Sequence, residues 1–247
     1  MSHGFPGRLR KWGWRATVIA VAELTMAVSA PKTIGPIDPG LSGALLRGRR
    51  VVIDPGHGGK DSGARGLIAH EDQINLAIAL DLRQWLNDAG ADVKMTWDKP
   101  GQILPSQKYR VQHRVNWINR TGGQALIDIH CNSAEKRWRG PQTFYWAGKG
   151  SYYLAYDVQG ELQYFTHTRR PVTRIDQYVL RYARMPAINV EVGFISNPRE
   201  EKLLMNPQYQ RLLSWYIFLG IDQWFLKGRW PEHLLHSPPP AHFLVRD

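Results

Sequence analysis

Short apolar runs alternate with amphipathic stretches along the middle of this 247-residue chain. Arg50-Val51-Val52-Ile53 reads as a buried strand, because contiguous apolar residues need cover on both faces. Between Glu71 and Asn87, the residues Ile74, Ala77, Ile78, Leu82, Trp85 and Leu86 recur at helical spacing, and Gly90 follows as a stop signal. Ala91 to Thr96 is a second strand, Arg110 to Asn119 a second helix, and Ala125-Leu126-Ile127-Asp128-Ile129 a third strand. Gln142 to Trp146 and Ala187 to Val192 are the fourth and fifth strands. Ser196 or Asn197 can cap a helix whose first turn holds Pro198, Glu200 and Glu201, and Pro207 to Lys227 forms a strongly apolar last helix. Strands alternating with helices predict an α/β fold: a mostly parallel sheet flanked by helices on both faces, in a single domain. In such folds ligands gather at the C-terminal ends of the strands.

The ends of the chain break this pattern. A basic run (Arg8, Arg10, Lys11, Arg15) precedes an apolar stretch from Ala16 to Ala30 that finishes on small residues, Val28-Ser29-Ala30. Residues 1–30 therefore read as an export signal or membrane anchor, with an amphipathic or unstructured segment as the plain alternative. Glu23 interrupts the stretch, which is short against the roughly 20 residues a membrane span needs. Prolines and glycines mark 31–46 as a linker, the folded domain covers 47–228, and 229–247, with Pro238-Pro239-Pro240, is an extended tail.

Composition narrows the function only in part. With 43 % apolar and 21 % charged residues the chain can bury a core, so disorder is excluded as the default. The single cysteine, Cys131, excludes an intrachain disulfide without excluding an extracytoplasmic location. A net charge of +11 calls for an anionic partner, and nucleic acid, an anionic membrane and an acidic cell wall satisfy it equally.

The chemistry sits where the sheet rule places it. His57 lies in Asp54-Pro55-Gly56-His57-Gly58-Gly59, directly after the first strand, in a tight turn with little bulk to shield the imidazole. His130 follows the third strand, and Glu71 opens a helix. Two imidazoles and a carboxylate are a common catalytic zinc set, leaving a fourth position for water. Glu191 ends the fifth strand among apolar neighbours, where a carboxylate facing that metal could take a proton from water and return it to a leaving amine. Each residue alone has a plainer explanation: a turn histidine, a helix-start charge, a satisfied buried histidine, a paired buried carboxylate. Their joint position at four element edges favours the metal reading.

Taken together, Ile53-Asp54-Pro55-Gly56-His57-Gly58-Gly59, Glu71 four residues before Asn75-Leu76, Ile129-His130-Cys131-Asn132 and Glu191-Val192-Gly193-Phe194-Ile195-Ser196-Asn197-Pro198 resemble the zinc-dependent N-acetylmuramoyl-L-alanine amidases, in the family's order, over about residues 49–226. The resemblance implies a single catalytic domain, Zn2+ held by His57, Glu71 and His130, and Glu191 as the catalytic glutamate. It implies hydrolysis of the amide between muramic acid and L-alanine in peptidoglycan, outside the cytoplasmic membrane. Arg114 and Asn119 match a recurring pair on the helix before the His130 strand, with a supporting role. The stretch Lys136-Arg137-Trp138-Arg139-Gly140 with Gln142-Thr143-Phe144-Tyr145 resembles the germination-type, spore-cortex branch.

Two positions depart from the family: Asp128 stands where a serine is usual, and Cys131 where a small or apolar residue is. Asp128 can orient His130 if the strand alternates regularly, and Cys131 should then face the other side as a buried hydrophobe. His70, His113 and His167 read as surface residues. Trp138, Tyr145, Trp146, Tyr152 and Tyr153 read as core and rim packing before a glycan platform, and Arg169, Arg170 and Arg174 as a solvated face. The span between His130 and Glu191 accommodates a strand, a loop and a short helix, with no room for the blocking helix some relatives carry. Peptidoglycan is the expected partner, with no nucleic acid. The rival readings are a silent wall-binding module, a nucleic-acid binder, and a zinc hydrolase acting on another amide.

Overall fold

The computed structural model describes residues 45–102 and 111–226. The segment 1–30, the linker as far as residue 44, the start of the second helix at Arg110 and the tail 229–247 lie outside the described residues. The elements run β1 (Arg50–Pro55), α1 (Glu71–Asp88), β2 (Asp92–Met95), α2 (Val111–Arg120), β3 (Ala125–Asn132), β4 (Gln142–Tyr145), α3 (Lys149–Thr166), β5 (Thr173–Arg174), α4 (Tyr178–Tyr182), β6 (Ala187–Phe194), α5 (Pro198–Leu204) and α6 (Pro207–Leu226). The six strands form one sheet in the order β2-β1-β3-β6-β4-β5. The pairings β1–β2, β1–β3, β3–β6 and β4–β5 are parallel, while β4 pairs with β6 antiparallel.

Both sheet faces are covered, as contiguous apolar strands require. Val51, Ile53, Ile127, Ile129, Ile188 and Val190 pack with α1, α3 and α6 in the larger core. Val52, Leu126 and Ala187 point to the opposite face, onto Val115 and Ile118 of α2 and Val179 and Leu180 of α4. Alternation then carries polar residues onto that second face further along the strands. Asp54, Asp128 and Asn189 are aligned across β1, β3 and β6, and one step on His130 is paired with Glu191. This row is what positions the chemistry.

Local signals explain several boundaries. Asn197 caps α5 by accepting from the backbone N–H groups of Arg199 and Glu200, and Pro198 occupies the first turn. Leu46, assigned by the sequence to the linker, is fully buried and donates its N–H to Ala89 O at 2.9 Å, so the core reaches further back. The span between His130 and Glu191 holds an 18-residue helix, α3, rather than a short one. Its buried residues Leu154, Ala155, Val158 and Leu162 join the core shared with α6, so the helix is structural. Aromatic and β-branched residues together with glycines at 150 and 160 blur its helical period in the sequence.

Asp222 lies in α6 with no exposed surface, and neither carboxylate oxygen has a hydrogen-bond partner. Burial pushes its pKa from 3.8 up to about 7. The folded state therefore holds a proton that the unfolded chain gives up above pH ~4. Stability accordingly falls as pH rises from about 4 through about 7, and Asp222→Asn removes that loss. We expect the variant to exceed the parent by about 1–3 kcal/mol at pH 8 and to converge with it at pH 4, measured by urea unfolding at both pH values.

Candidate metal centre

The loop after β1 turns sharply because its glycines permit it. His57 itself has φ 62°, a left-handed conformation that costs a non-glycine residue about 1–3 kcal/mol unless its surroundings enforce it. Arg114 supplies the restraint from α2: its Nη2 donates to His57 O at 2.9 Å, and its Nη1 lies 3.6 Å from the fully buried Asp54 carboxylate. Thr96 donates its hydroxyl to the same carboxylate at 2.5 Å, and Trp97 Nε1 donates to Pro55 O at 2.6 Å. Gly63 (φ 66°) allows the chain to return beneath Glu71, since a Cβ there would meet Glu71 Oε2 and the His57 ring at 2.6 Å.

Three side chains converge above the strand ends. His57, Glu71 and His130 each offer a ligand atom, and these atoms lie within 4.8 Å of one another. His57 Nε2 is 3.2 Å from Glu71 Oε2, and His130 Nδ1 is 3.0 Å from Glu71 Oε1. Each imidazole presents its other nitrogen to a second carboxylate: His57 Nδ1 to Asp61 at 2.9 Å, and His130 Nε2 to Asp128 at 3.2 Å. Histidines oriented from behind by carboxylates are the usual arrangement at zinc, so the donor set fits that ion. Glu71 is itself fixed, accepting from Ala64 N at 2.7 Å and Cys131 N at 3.0 Å.

The electrostatics match a site built for a cation. Burial works to raise the Glu71 pKa, yet hydrogen bonds from His130, His57 and the Ala64 N–H hold it well below the usual carboxylate range. Burial works to lower the pKa of both histidines. Hydrogen bonds to Glu71 and Asp61 nevertheless raise His57, and the charge and hydrogen bond of Asp128, with Glu71, raise His130 further. Both shifts favour the imidazolium form, and a metal bound at these nitrogens would compete with the proton.

Glu191 faces His130 from β6. Its Oε1 accepts from Asn189 Nδ2 at 3.2 Å, while Oε2 is buried with no hydrogen-bond partner. Burial pushes this carboxyl up to about 7; the charge of His130 pulls it back, and Glu71 pushes it further up. It thus sets a carboxylate with one unpartnered oxygen beside the His57, Glu71 and His130 cluster.

The family model of the N-acetylmuramoyl-L-alanine amidases matches residues 51–223, from β1 into α6. The chain belongs to this family. It is 34 % identical over 203 residues to the germination-specific N-acetylmuramoyl-L-alanine amidase of Bacillus subtilis, covering 76 % of this chain and 84 % of the relative. Among solved structures, it is similar to the CwlD amidase of Clostridioides difficile in complex with the GerS lipoprotein (TM-score 0.68, 30 % identity, 72 % of this chain and 98 % of that one). It is also similar to the amidase AmiC2 of Nostoc punctiforme (TM-score 0.64, 32 % identity, 72 % of this chain and 97 % of that one). The amidase accordingly hydrolyses the bond between N-acetylmuramic acid and L-alanine in peptidoglycan.

Other sequence readings are sharpened around this centre. Asp128 and His130 share a face and touch, whereas Cys131 lies on the other side in the larger core, its thiol pKa raised by burial. Asn119 supports the fold, bonding Tyr182 O and Arg184 N at the end of α4. Arg170 is not simply solvated: it stacks on Phe194 and Trp138, 4.4 and 5.0 Å from the ring centroids, and bonds Gln142. Arg174 lies 4.5 Å from the Trp146 centroid. Tyr152 and Tyr153 are exposed rather than core residues, as is Trp138. His113 and His167 are exposed, but His70 is half-buried and precedes α1 at its cap. Sequence reasoning missed Asp61 and Asn189, and it had Asn75 only as part of a motif, whereas its Nδ2 donates to Gly56 O at 3.2 Å and to Glu71 Oε1 at 3.4 Å. Asp61 had a local signal, four residues after His57, whereas Asn189 becomes legible only through its strand partners.

Proposed function

We propose that the amidase is a zinc hydrolase in which His57, Glu71 and His130 hold the metal and Glu191 moves the proton. The single observation that carries this reading is the convergence of the three donors beside a buried carboxylate with a free oxygen. When bound, zinc supplies Lewis acidity, polarising the scissile carbonyl and bringing the pKa of water toward about 7. Glu191 takes the proton from the attacking water and delivers it to the alanine nitrogen as the C–N bond breaks. Asn189 holds one Glu191 oxygen, which leaves Oε2 for that exchange. Asp61 and Asp128 keep the two imidazoles turned toward Glu71. Similarity to the germination-specific relative supports the spore cortex as target, where a muramic acid freed of peptide can close to its lactam. Such a substrate places the working enzyme outside the cytoplasmic membrane. Among the described residues, no helix is long and apolar enough to cross one.

The test is digestion of purified cortex and vegetative peptidoglycan, with mass spectrometry of the products. We expect free L-alanine amino termini, loss of activity on exhaustive chelation and recovery with zinc. Undiminished activity in the chelated protein would reject the metal assignment, and cleavage between sugars would reject the bond.

A further inference from the structure

Against the loop that bears His57 lies an open cavity of about 520 Å³. Gly59 and Ser62 form its near wall, so the loop that bears His57 and Asp61 is shared between cavity and metal centre. Leu76 and Trp97, both buried and packed together with Leu80 and Met95, give it an apolar floor. That floor is rigid, because the Trp97 indole is hydrogen-bonded to Pro55 O at the end of β1. Among the described residues lining the cavity, Asp72 is the one with a formal charge, and its Oδ1 is buried with no hydrogen-bond partner.

We infer that this cavity receives an amine-bearing side chain of the stem peptide, with the Asp72 carboxylate as counter-ion. An apolar floor with one carboxylate at its edge matches an aliphatic stem ending in an ammonium, which buries methylenes and keeps its charged tip paired. Cross-linked walls require such a residue beyond the L-alanine, since the cross-link is an amide made on its amine. The cavity has the volume typical of a small-ligand site. His70 and Asp72, the chain neighbours of Glu71, both line the cavity, so it adjoins the metal centre. A cross-linked or acylated amine loses its charge and gains bulk, so the amidase prefers stems whose amine is free. This inference rests on the amidase reading and adds the discrimination to it.

Two soluble muropeptides, identical except for acetylation of the side-chain amine, test it with the zinc-loaded enzyme. The parent should hydrolyse the free-amine compound with a KM roughly tenfold lower and a similar kcat. Asp72→Asn should lose that preference while keeping its zinc content and its kcat on the acetylated compound, and Asp72→Glu should restore part of it. Equal hydrolysis of both compounds by the parent, or a preference undiminished in Asp72→Asn, overturns the inference alone. Release of peptide from neither compound overturns the amidase reading together with it.

Discussion

Glu191→Gln should keep its zinc and lose about 10²–10⁴-fold in kcat on peptidoglycan. The glutamine preserves volume and can still meet Asn189, so the β3–β6 pairing beneath His130 stays intact. What disappears is the group proposed to accept and return the proton. The position also explains why a carboxylate with an ordinary pKa would serve less well. Burial pushes Glu191 up to about 7, close to the pH at which a base and its conjugate acid are both accessible. A bound dication would pull it back down. Because the base must be ionised, kcat/KM should rise with pH through this group's titration and then level off, and the rising limb should be absent from the residual activity of Glu191→Gln. Metal content by mass spectrometry and single-turnover rates separate the outcomes: full activity rejects the role, and loss of zinc along with activity makes Glu191 a structural neighbour.

Gly56→Ala should cost at least ~100-fold in zinc affinity without unfolding the domain. A methyl on this residue would overlap the His130 ring at Cε1, Nε2 and Nδ1 together. The glycine cannot retreat, because its N–H donates to Ile129 O at 2.8 Å and its carbonyl accepts from Asn75 Nδ2 at 3.2 Å. The imidazole must therefore swing away, leaving Asp128 and Glu71 behind. Competition against a chelator of known affinity reads the loss, and thermal melting of the metal-free protein checks the fold. Affinity equal to the parent's would show that the ring has slack the geometry denies.

Much of this arrangement was legible from spacing. Val51 to Ile53, Leu126 to Ile129 and the helix from Glu71 carry unmixed periods, and the residues that follow those strands fall at the C-terminal edge by the logic of parallel sheets. Other features were hidden because they depend on neighbours remote in sequence. The reversal of β4 against β6 has no local signature, and α3 conceals its period among tyrosines and glycines. Asp61 behaves as an ordinary polar residue until the fold sets it beside an imidazole, whereas strand alternation already offered Asp128 to His130. Arg170, one of three basic residues along a short stretch, gains its packing only when the fold brings Trp138 and Phe194 beside it.

His57, Glu71 and His130 come from three separate segments: the loop after β1, the start of α1 and the end of β3. An ion shared among them ties together stretches of chain that are far apart in sequence, in a protein whose one cysteine forms no disulfide. Metal binding of this kind stabilises the native ensemble by mass action and closes loops that unfolding must reopen. A metal held there would thereby double as a removable staple. A chelated amidase should melt earlier and become more easily nicked by proteases around residues 58–70, so the supply of zinc would govern how long the enzyme survives in the wall as well as how fast it cuts.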